Sequence, residues 1–196
     1  FYDVSSGAVQ LDGVDIRRFN PTDLRKAIAL APQDPVIFGL SVAENISYGC
    51  FDATNEMIVA AARRAQAHEF IMSLPQGYET LLGERGITLS GGQKQRLTLA
   101  RAIGGERSIL VLDDALSSVD AQTERRILDE LKSVMAGRTS IVISHRVSSV
   151  RDADAIVVVD DGKIVERGTH AELLAHDGLY AELYQRQRLT EQLEAM

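Results

Sequence analysis

The chain has 196 residues, with 21 lysines and arginines against 28 aspartates and glutamates, a formal net charge of −7. This acidic balance argues against a broad nucleic-acid surface or a polybasic membrane patch, so no nucleic-acid partner is expected. Cys50 is the only cysteine, which excludes an intrachain disulfide, and no apolar run approaches the roughly 20 residues of a membrane-spanning helix.

Apolar runs of strand length alternate with helical stretches along the chain. Strands are predicted at 8–11, 28–31, 108–112, 139–143, 155–159 and 163–165. Helices are predicted at 54–67, 91–102, 121–134 and 171–193. The runs SILVLDD and TSIVISH are apolar throughout, which is typical of parallel strands covered on both faces. The pattern predicts an α/β fold in which residues from about 41 to 104 form a helical insert.

The last two strands carry a hairpin motif. In AIVVVDDGKIVERG, Asp161-Gly162 separates two strand-like runs, and Asp-Gly is among the strongest short hairpin patterns. An antiparallel hairpin is therefore expected at the edge of the sheet. A helix pair should follow, starting at Thr169 as an N-cap.

The octet LSGGQKQR, residues 89–96, opens a predicted helix with a serine and two glycines. Each glycine inside a helix costs roughly 0.5–1 kcal/mol relative to alanine, so two consecutive glycines at this position need an explanation. One reason is an anion at the helix N-terminus, where glycines let a phosphate approach the backbone and Ser90 and Gln93 add a hydroxyl and an amide. The alternative is an ordinary serine-capped helix with a flexible start.

Polar side chains follow three predicted strands. In open α/β sheets, ligands lie beyond the carboxyl ends of the strands, so Asp113 can hold Mg²⁺ on a nucleotide while Asp114 positions water. Gln33, after the strand in ALAPQDPVIF, can ligate Mg²⁺ or water through its amide oxygen. His145, at the end of TSIVISH, can sense a γ-phosphate. Each of these residues, taken alone, is also compatible with a solvated loop.

Five motifs occur in a fixed order: Gln33 after a strand, LSGGQKQR, ILVLDD, SSVD at 117–120 and SHR at 144–146. In order and spacing they resemble the nucleotide-binding domain of ABC (ATP-binding cassette) transporters, over essentially the whole chain. The resemblance implies a P-loop NTPase-like ABC-ATPase fold of the α/β class, with a mostly parallel sheet, an inserted helical subdomain and a C-terminal β-hairpin plus helices. It also implies ATP and Mg²⁺ as cofactors.

The same resemblance divides the site residues into two groups. Those acting on the chain's own nucleotide are the Q-loop Gln33, the Walker B Asp113, Asp114 at the position of the catalytic base, and the switch His145. Those facing a nucleotide held by a partner domain are the signature residues Ser90, Gly91, Gly92 and Gln93, and Asp120 at the end of the D-loop. Residues 41–104 would form the helical subdomain, 105–168 the core sheet and 169–196 the C-terminal helices.

A finer likeness concerns the type of transporter. The segments FYDVSSGAVQLDGVDIR, SVAENISYG and GERGITLSGG look like ABC exporters of the multidrug type. This implies a motor domain that couples ATP hydrolysis to export of a small molecule, drug or lipid, at the cytoplasmic face of the plasma (inner) membrane. Its partners would be a second nucleotide-binding domain and the coupling helices of a transmembrane domain, with Glu84 and Arg85 facing those helices.

The phosphate-binding loop G-x-x-x-x-G-K-[ST] does not occur in these residues, since Gly162-Lys163 is followed by Ile164. In the family that loop lies just before the position of Phe1, so the chain reads as a fragment without the backbone cradle and lysine for the β- and γ-phosphates. We therefore predict that these 196 residues do not bind ATP tightly or hydrolyse it.

A second departure is Asp114, where the family usually has glutamate. Aspartate withdraws the carboxylate by on the order of 1 Å, and a misplacement of that size can cost about 100-fold in rate. In this respect the chain resembles the degenerate subunit of heterodimeric exporters, which favours a heterodimer. Two alternatives stay open: a truncated, non-catalytic module that only supplies the signature motif, and a soluble ABC ATPase of DNA repair, for which heptads and basic surfaces are missing.

Overall fold

The computed structural model describes residues 3–50, 52–83 and 89–194. The strands are β1 (Gln10–Leu11), β2 (Val14–Asp15), β3 (Ile28–Ala31), β4 (Ile109–Asp113), β5 (Thr139–Ile143), β6 (Ile156–Asp160) and β7 (Lys163–Gly168). The helices are α1 (Pro21–Ala27), α2 (Val42–Ser47), α3 (Asn55–Arg64), α4 (His68–Met72), α5 (Gly91–Ile103), α6 (Ala121–Met135), α7 (Val147–Val150), α8 (His170–His176) and α9 (Leu179–Glu194). The chain divides into two compact units, Phe1–Ile141 and Val142–Met196.

The sheet order β3-β4-β5 places the strand that precedes Gln33 beside the strand that ends in Asp113. Strands β3 and β4 are parallel, with Ala29 opposite Leu110 and Ala31 opposite Leu112. These four side chains are all buried, and helix α5 packs against β3. The α/β class and the parallel arrangement predicted from the apolar runs are confirmed.

The expectation that SILVLDD and TSIVISH are covered on both faces is wrong for TSIVISH among the described residues. Leu30, between the two buried alanines of β3, is 53% exposed, and Ile141 of β5 is 50% exposed. Because side chains alternate along a strand, one set lies in the core and the other set meets solvent. In TSIVISH the continuous apolar run therefore does not reflect burial on both faces, whereas in β4 the alternate residues Ile109 and Val111 are half-buried.

Between β3 and β4 the described chain is mainly helical, as the sequence predicted. Helix α2 begins with a reciprocal cap in which Glu44 N–H donates to Ser41 Oγ at 3.2 Å and Ser41 N–H donates to the Glu44 carboxylate at 2.8 Å. Thr54 caps α3 through the N–H of Met57 at 3.4 Å. An isolated antiparallel bridge joins Ser41 to Leu81. Helices α2 and α3 pack on α5 and so fix the helix that carries the octet.

The second unit contains the predicted hairpin and helix pair, but the hairpin forms a two-stranded sheet of its own, β6-β7; the prediction that it lies at the edge of the sheet β3-β4-β5 is wrong for the described strands. Strands β6 and β7 are antiparallel, and the turn places Asp161 and Gly162 at φ 46° and 71°. Both positive φ values fit a type I′ turn. Thr169 and Glu172 form a reciprocal cap on α8, so the predicted N-cap is confirmed. Asp177, at φ 53°, ends α8 before α9 starts.

In the part of the chain described, every helix is too short or too polar to span a bilayer.

Candidate nucleotide-binding site

Gln33 and the two aspartates extend from neighbouring parallel strands at the same edge of the sheet. Ala31 is paired with Leu112, and Gln33 and Asp114 each lie two residues beyond this pair. Gln33 is exposed, whereas Asp113 and Asp114 are half-buried. The structure thus brings these three predicted site residues to one carboxyl edge, where ligands bind in open α/β sheets.

The backbone turns sharply at Asp114. Its φ of 45° lies in the left-handed region, which aspartate tolerates better than most residues. The carbonyl of Asp114 accepts a hydrogen bond from Ser117 N–H at 3.2 Å, which closes the turn into the segment Ser117–Asp120, the D-loop. The side chain that would position water therefore stands on a constrained turn rather than on a free loop.

The oxygen atoms of Gln33 and Asp113 fit Mg²⁺ that is delivered with a nucleotide. A carboxylate of Asp113 and an amide oxygen of Gln33 are hard oxygen ligands of the kind that Mg²⁺ takes. Among the described residues there is no cluster of three or more histidine, cysteine, aspartate or glutamate side chains that could cage a metal by itself. Because Mg²⁺ is commonly bound by one or two protein ligands with phosphates and water, this sparse set suits a nucleotide-bound ion.

The N-terminus of α5 is a capping box built from two of the predicted site residues. Gln93 N–H donates to Ser90 Oγ at 3.3 Å, and Ser90 N–H donates to Gln93 Oε1 at 2.9 Å. The serine-capped helix, one of the two alternatives for the octet, is therefore present. The cap leaves the amides of Gly91 and Gly92 without a partner among the described residues, and the positive end of the helix dipole lies there.

Gly92 has a packing role that the sequence did not reveal. A β-carbon at this position would stand 2.8 Å from the carbonyl oxygen of Ser118, closer than real β-carbons approach. At Gly91 the nearest atom would be Ser118 Cβ at 3.6 Å, an ordinary contact. The second glycine of the octet is therefore required by the D-loop of the same chain, whatever ligand the first turn binds.

Asp120 closes the D-loop by capping α6. The N–H of Thr123 donates to its carboxylate at 2.9 Å, and this hydrogen bond holds the pKa of Asp120 below its usual value. Asp120 itself is exposed at the start of α6. Asp120, which is predicted to face a partner's nucleotide, thus also has a structural role in its own chain as the cap of α6.

Arg101 is a half-buried cation that sequence reasoning missed. Its Nε and NH2 donate to the main-chain and side-chain oxygens of Asn45 at 2.7 and 2.8 Å, and NH1 donates to the carbonyl of Val36 at 2.8 Å. The guanidinium also lies 4.7 Å from the ring centre of Phe38. Burial lowers the pKa of Arg101 to about 10, so the side chain stays charged at neutral pH. It fastens the end of α5 to the segment after Gln33.

His145 belongs to the second unit. Its carbonyl accepts a hydrogen bond from Gln187 Nε2 at 2.6 Å, and Gln187 Oε1 accepts from Val147 N–H at 2.7 Å. The residue is exposed, so α9 holds the backbone of His145 while the residue faces solvent. Glu84 and Arg85, predicted to face coupling helices, lie outside the described residues.

Comparison with known proteins identifies the class. The ABC transporter family model matches residues 1–117, and the chain belongs to this family. It is 50% identical over 192 residues to ABC transporter B family member 1 of Arabidopsis thaliana, a match covering 97% of this chain and 15% of the relative. It is 52% identical over 190 residues to the human mitochondrial potassium channel ATP-binding subunit, covering 96% of this chain and 26% of that protein.

The fold agrees with a solved structure. A bacterial Atm1-family ABC exporter with ATP bound superposes with a TM-score of 0.91 and 44% identity, over 95% of this chain and 33% of the other. The chain therefore has the fold of the nucleotide-binding domain of B-family and Atm1-type exporters. It spans one third or less of the length of each of these relatives.

Proposed function

We propose that this chain acts as the ATP-dependent motor region of an exporter that moves a small molecule, drug or lipid. The observation that carries the proposal is the convergence of Gln33, Asp113 and Asp114 at one carboxyl edge, in a chain of the ABC exporter fold. ATP supplies the phosphoryl group whose transfer to water drives transport. The residues of the chain provide ligands, orientation and a helix N-terminus.

Within this proposal the residues divide as the motif likeness implies. Asp113 and Gln33 hold Mg²⁺ on the nucleotide, Asp114 orients the attacking water, and His145 contacts the γ-phosphate. The signature residues and the D-loop serve a nucleotide held by a partner domain: Ser90, Gly91, Gly92, Gln93 and Asp120. The amides of Gly91 and Gly92, which have no partner in the described part of the chain, support this assignment, because backbone N–H groups at a helix start favour phosphate.

The proposed partners are a second nucleotide-binding domain and the coupling helices of a transmembrane domain. The proposed subregions are a helical subdomain at 41–104, a core sheet at 105–168 and C-terminal helices at 169–196. The proposed location is the cytoplasmic face of the plasma (inner) membrane. One relative is described as mitochondrial, so fractionation of cells should test plasma and mitochondrial membranes alike.

Asp114 favours a second candidate, a subunit that supplies the signature motif to a partner while its own site is slow. Its side chain is one methylene shorter than that of glutamate, and its backbone φ of 45° lies in the left-handed region. Such a subunit would pair with a different, competent subunit in a heterodimer. The two candidates predict different stoichiometries of hydrolysis per dimer.

The test uses the complete native protein reconstituted in lipid vesicles, with hydrolysis of MgATP as the readout. Asp113→Asn should lower the rate by at least about 100-fold, because a metal ligand contributes several kcal/mol to charge stabilisation. The matched control is Asp129→Asn on α6, whose side chain is 76% exposed. An unaltered rate in Asp113→Asn would reject the first candidate, in which the site of this chain carries the hydrolysis, and would favour the second, in which the partner's site does. In parallel, calorimetry on residues 1–196 should show no tight MgATP binding, as the missing G-x-x-x-x-G-K-[ST] motif predicts.

A further inference from the structure

Gln95 is a buried amide on the signature helix, two residues beyond the capping box. The residue is 3% exposed and lies in the second turn of α5. The proposed chemistry does not use it: Gln95 is buried, whereas Gly91 at the helix start is exposed. A buried amide needs hydrogen-bond partners, and those of Gln95 identify its role.

Both ends of the Gln95 amide bind the D-loop. Nε2 donates to Ser117 Oγ at 2.8 Å, and Oε1 accepts from Ser118 N–H at 2.8 Å. A glutamine fits this place because it offers a donor and an acceptor side by side, as the hydroxyl and the amide require. The two contacts span 22 and 23 residues of chain, so they fix a tertiary relation rather than a local turn.

The first turn of α5 touches the same loop through its backbone. Gly92 has no room for a β-carbon against the Ser118 carbonyl, and the other end of the loop is held by Asp120, which caps α6. The D-loop is thus fastened to α5 at Ser117–Ser118 and to α6 at Asp120. Movement of the signature helix must carry the loop with it.

We propose that Gln95 is a positioning residue that holds the signature turn and the D-loop as one rigid element. The inference rests on the proposed function, in which both parts face the same partner nucleotide. If the signature turn and the D-loop move as one element, their spacing stays fixed as they approach the partner's nucleotide. This matters because a misplacement of about 1 Å can cost roughly 100-fold in rate. Gln95 touches no nucleotide, so it acts only through Ser117 and Ser118.

The test compares Gln95→Leu with Gln95→Glu in the complete native protein, with Gln185→Leu as a control on the exposed face of α9. Leucine removes both hydrogen bonds. Glutamate keeps the acceptor for Ser118 N–H and can accept from the Ser117 hydroxyl. For MgATP hydrolysis, Gln95→Leu should lower kcat about 10- to 100-fold with KM within twofold, whereas Gln95→Glu should keep at least a third of the wild-type kcat.

A second readout does not depend on turnover. Hydrogen–deuterium exchange of the peptide containing Ser117–Asp120 should be about tenfold faster in Gln95→Leu and close to wild type in Gln95→Glu, without faster exchange in α9. Unchanged exchange, or a Glu variant as impaired as the Leu variant, would overturn the inference. If Gln95→Leu fails to fold, Ser117→Ala takes its place, and unchanged exchange at Ser118 would then overturn it. A wild-type protein that hydrolyses no ATP would instead reject the proposed function and leave the exchange result to decide this one.

Discussion

The carbonyl oxygen of Ser118 lies 2.8 Å from the point where a β-carbon of Gly92 would stand. The neighbouring glycine, Gly91, would place a β-carbon 3.6 Å from Ser118 Cβ, which is an ordinary contact. The two glycines of the signature motif therefore meet different constraints. One is fixed by packing within the chain, while the other leaves room for a ligand at the helix start.

Alanine at these two positions should change stability in opposite directions. Gly92→Ala forces backbone apart and should destabilise residues 1–196 by about 1–3 kcal/mol. Gly91→Ala meets no obstacle and should stabilise the helix by about 0.4–1 kcal/mol. Urea denaturation followed by circular dichroism measures both variants. Equal effects of the two substitutions would contradict the packing role of Gly92.

Local features of this fold could be predicted from the sequence, because periodicity and caps are local. The strands Ile28–Ala31 and Thr139–Ile143 have the limits that the apolar runs predicted, and α5 begins at the predicted Gly91. The short strand β2 was missed, although Asp12-Gly13 precedes it and adopts the same positive φ pair as Asp161-Gly162. In that case the hairpin rule was available, but the strands are only two residues long.

Contacts between distant segments could not be predicted. Gln95 and Ser118 are 23 residues apart, and Arg101 and Val36 are 65 apart. No periodicity links such pairs, since their meeting depends on how α5 packs against β3 and on the turn after Asp114. The motif pattern could identify residues that face a ligand, but not the residues that hold them in place.

Arg101 should contribute strongly to stability. Arg101→Met leaves two oxygens of the buried Asn45 without this donor, and should cost about 2–4 kcal/mol. Arg101→Lys keeps the charge but cannot reproduce the fork, so an intermediate loss is expected. Chemical denaturation of residues 1–196 measures these losses. Arg64→Met, on an exposed position of α3, is the control and should change stability by less than about 0.5 kcal/mol. A loss as small as that of the control would contradict the fastening role.

Asp120 should make the D-loop sensitive to acid. Its folded pKa is lowered by the Thr123 N–H, so its charged form is favoured in the folded state. The resulting stability is fully present above the unfolded pKa, near 3.8, and is lost as pH falls through the lower folded value. Asp120→Asn keeps an oxygen for the cap but does not titrate, so its melting temperature should fall less than that of the wild type below about pH 4.

The comparison needs a variant that lacks the cap altogether. Asp120→Ala should melt below Asp120→Asn at every pH, because Thr123 N–H then has no side-chain acceptor. Melting temperatures measured from about pH 3 to 6 on the three proteins separate the charge from the cap. Parallel wild-type and Asp120→Asn curves would show that Asp120 does not contribute to acid sensitivity.

Asp114 sets the expected rate of the chain's own site. In the complete native protein, Asp114→Glu should extend the carboxylate by about 1 Å and raise single-turnover MgATP hydrolysis by roughly 10- to 100-fold. Glutamate is less tolerant than aspartate of the left-handed φ of 45°, so the same variant should be slightly less stable. Asp114→Asn is the matched control, because it keeps the shape and the turn but removes the charge. If the glutamate and asparagine variants hydrolyse at the same rate, the carboxylate at this position does not orient the water, and the slow-site interpretation is wrong.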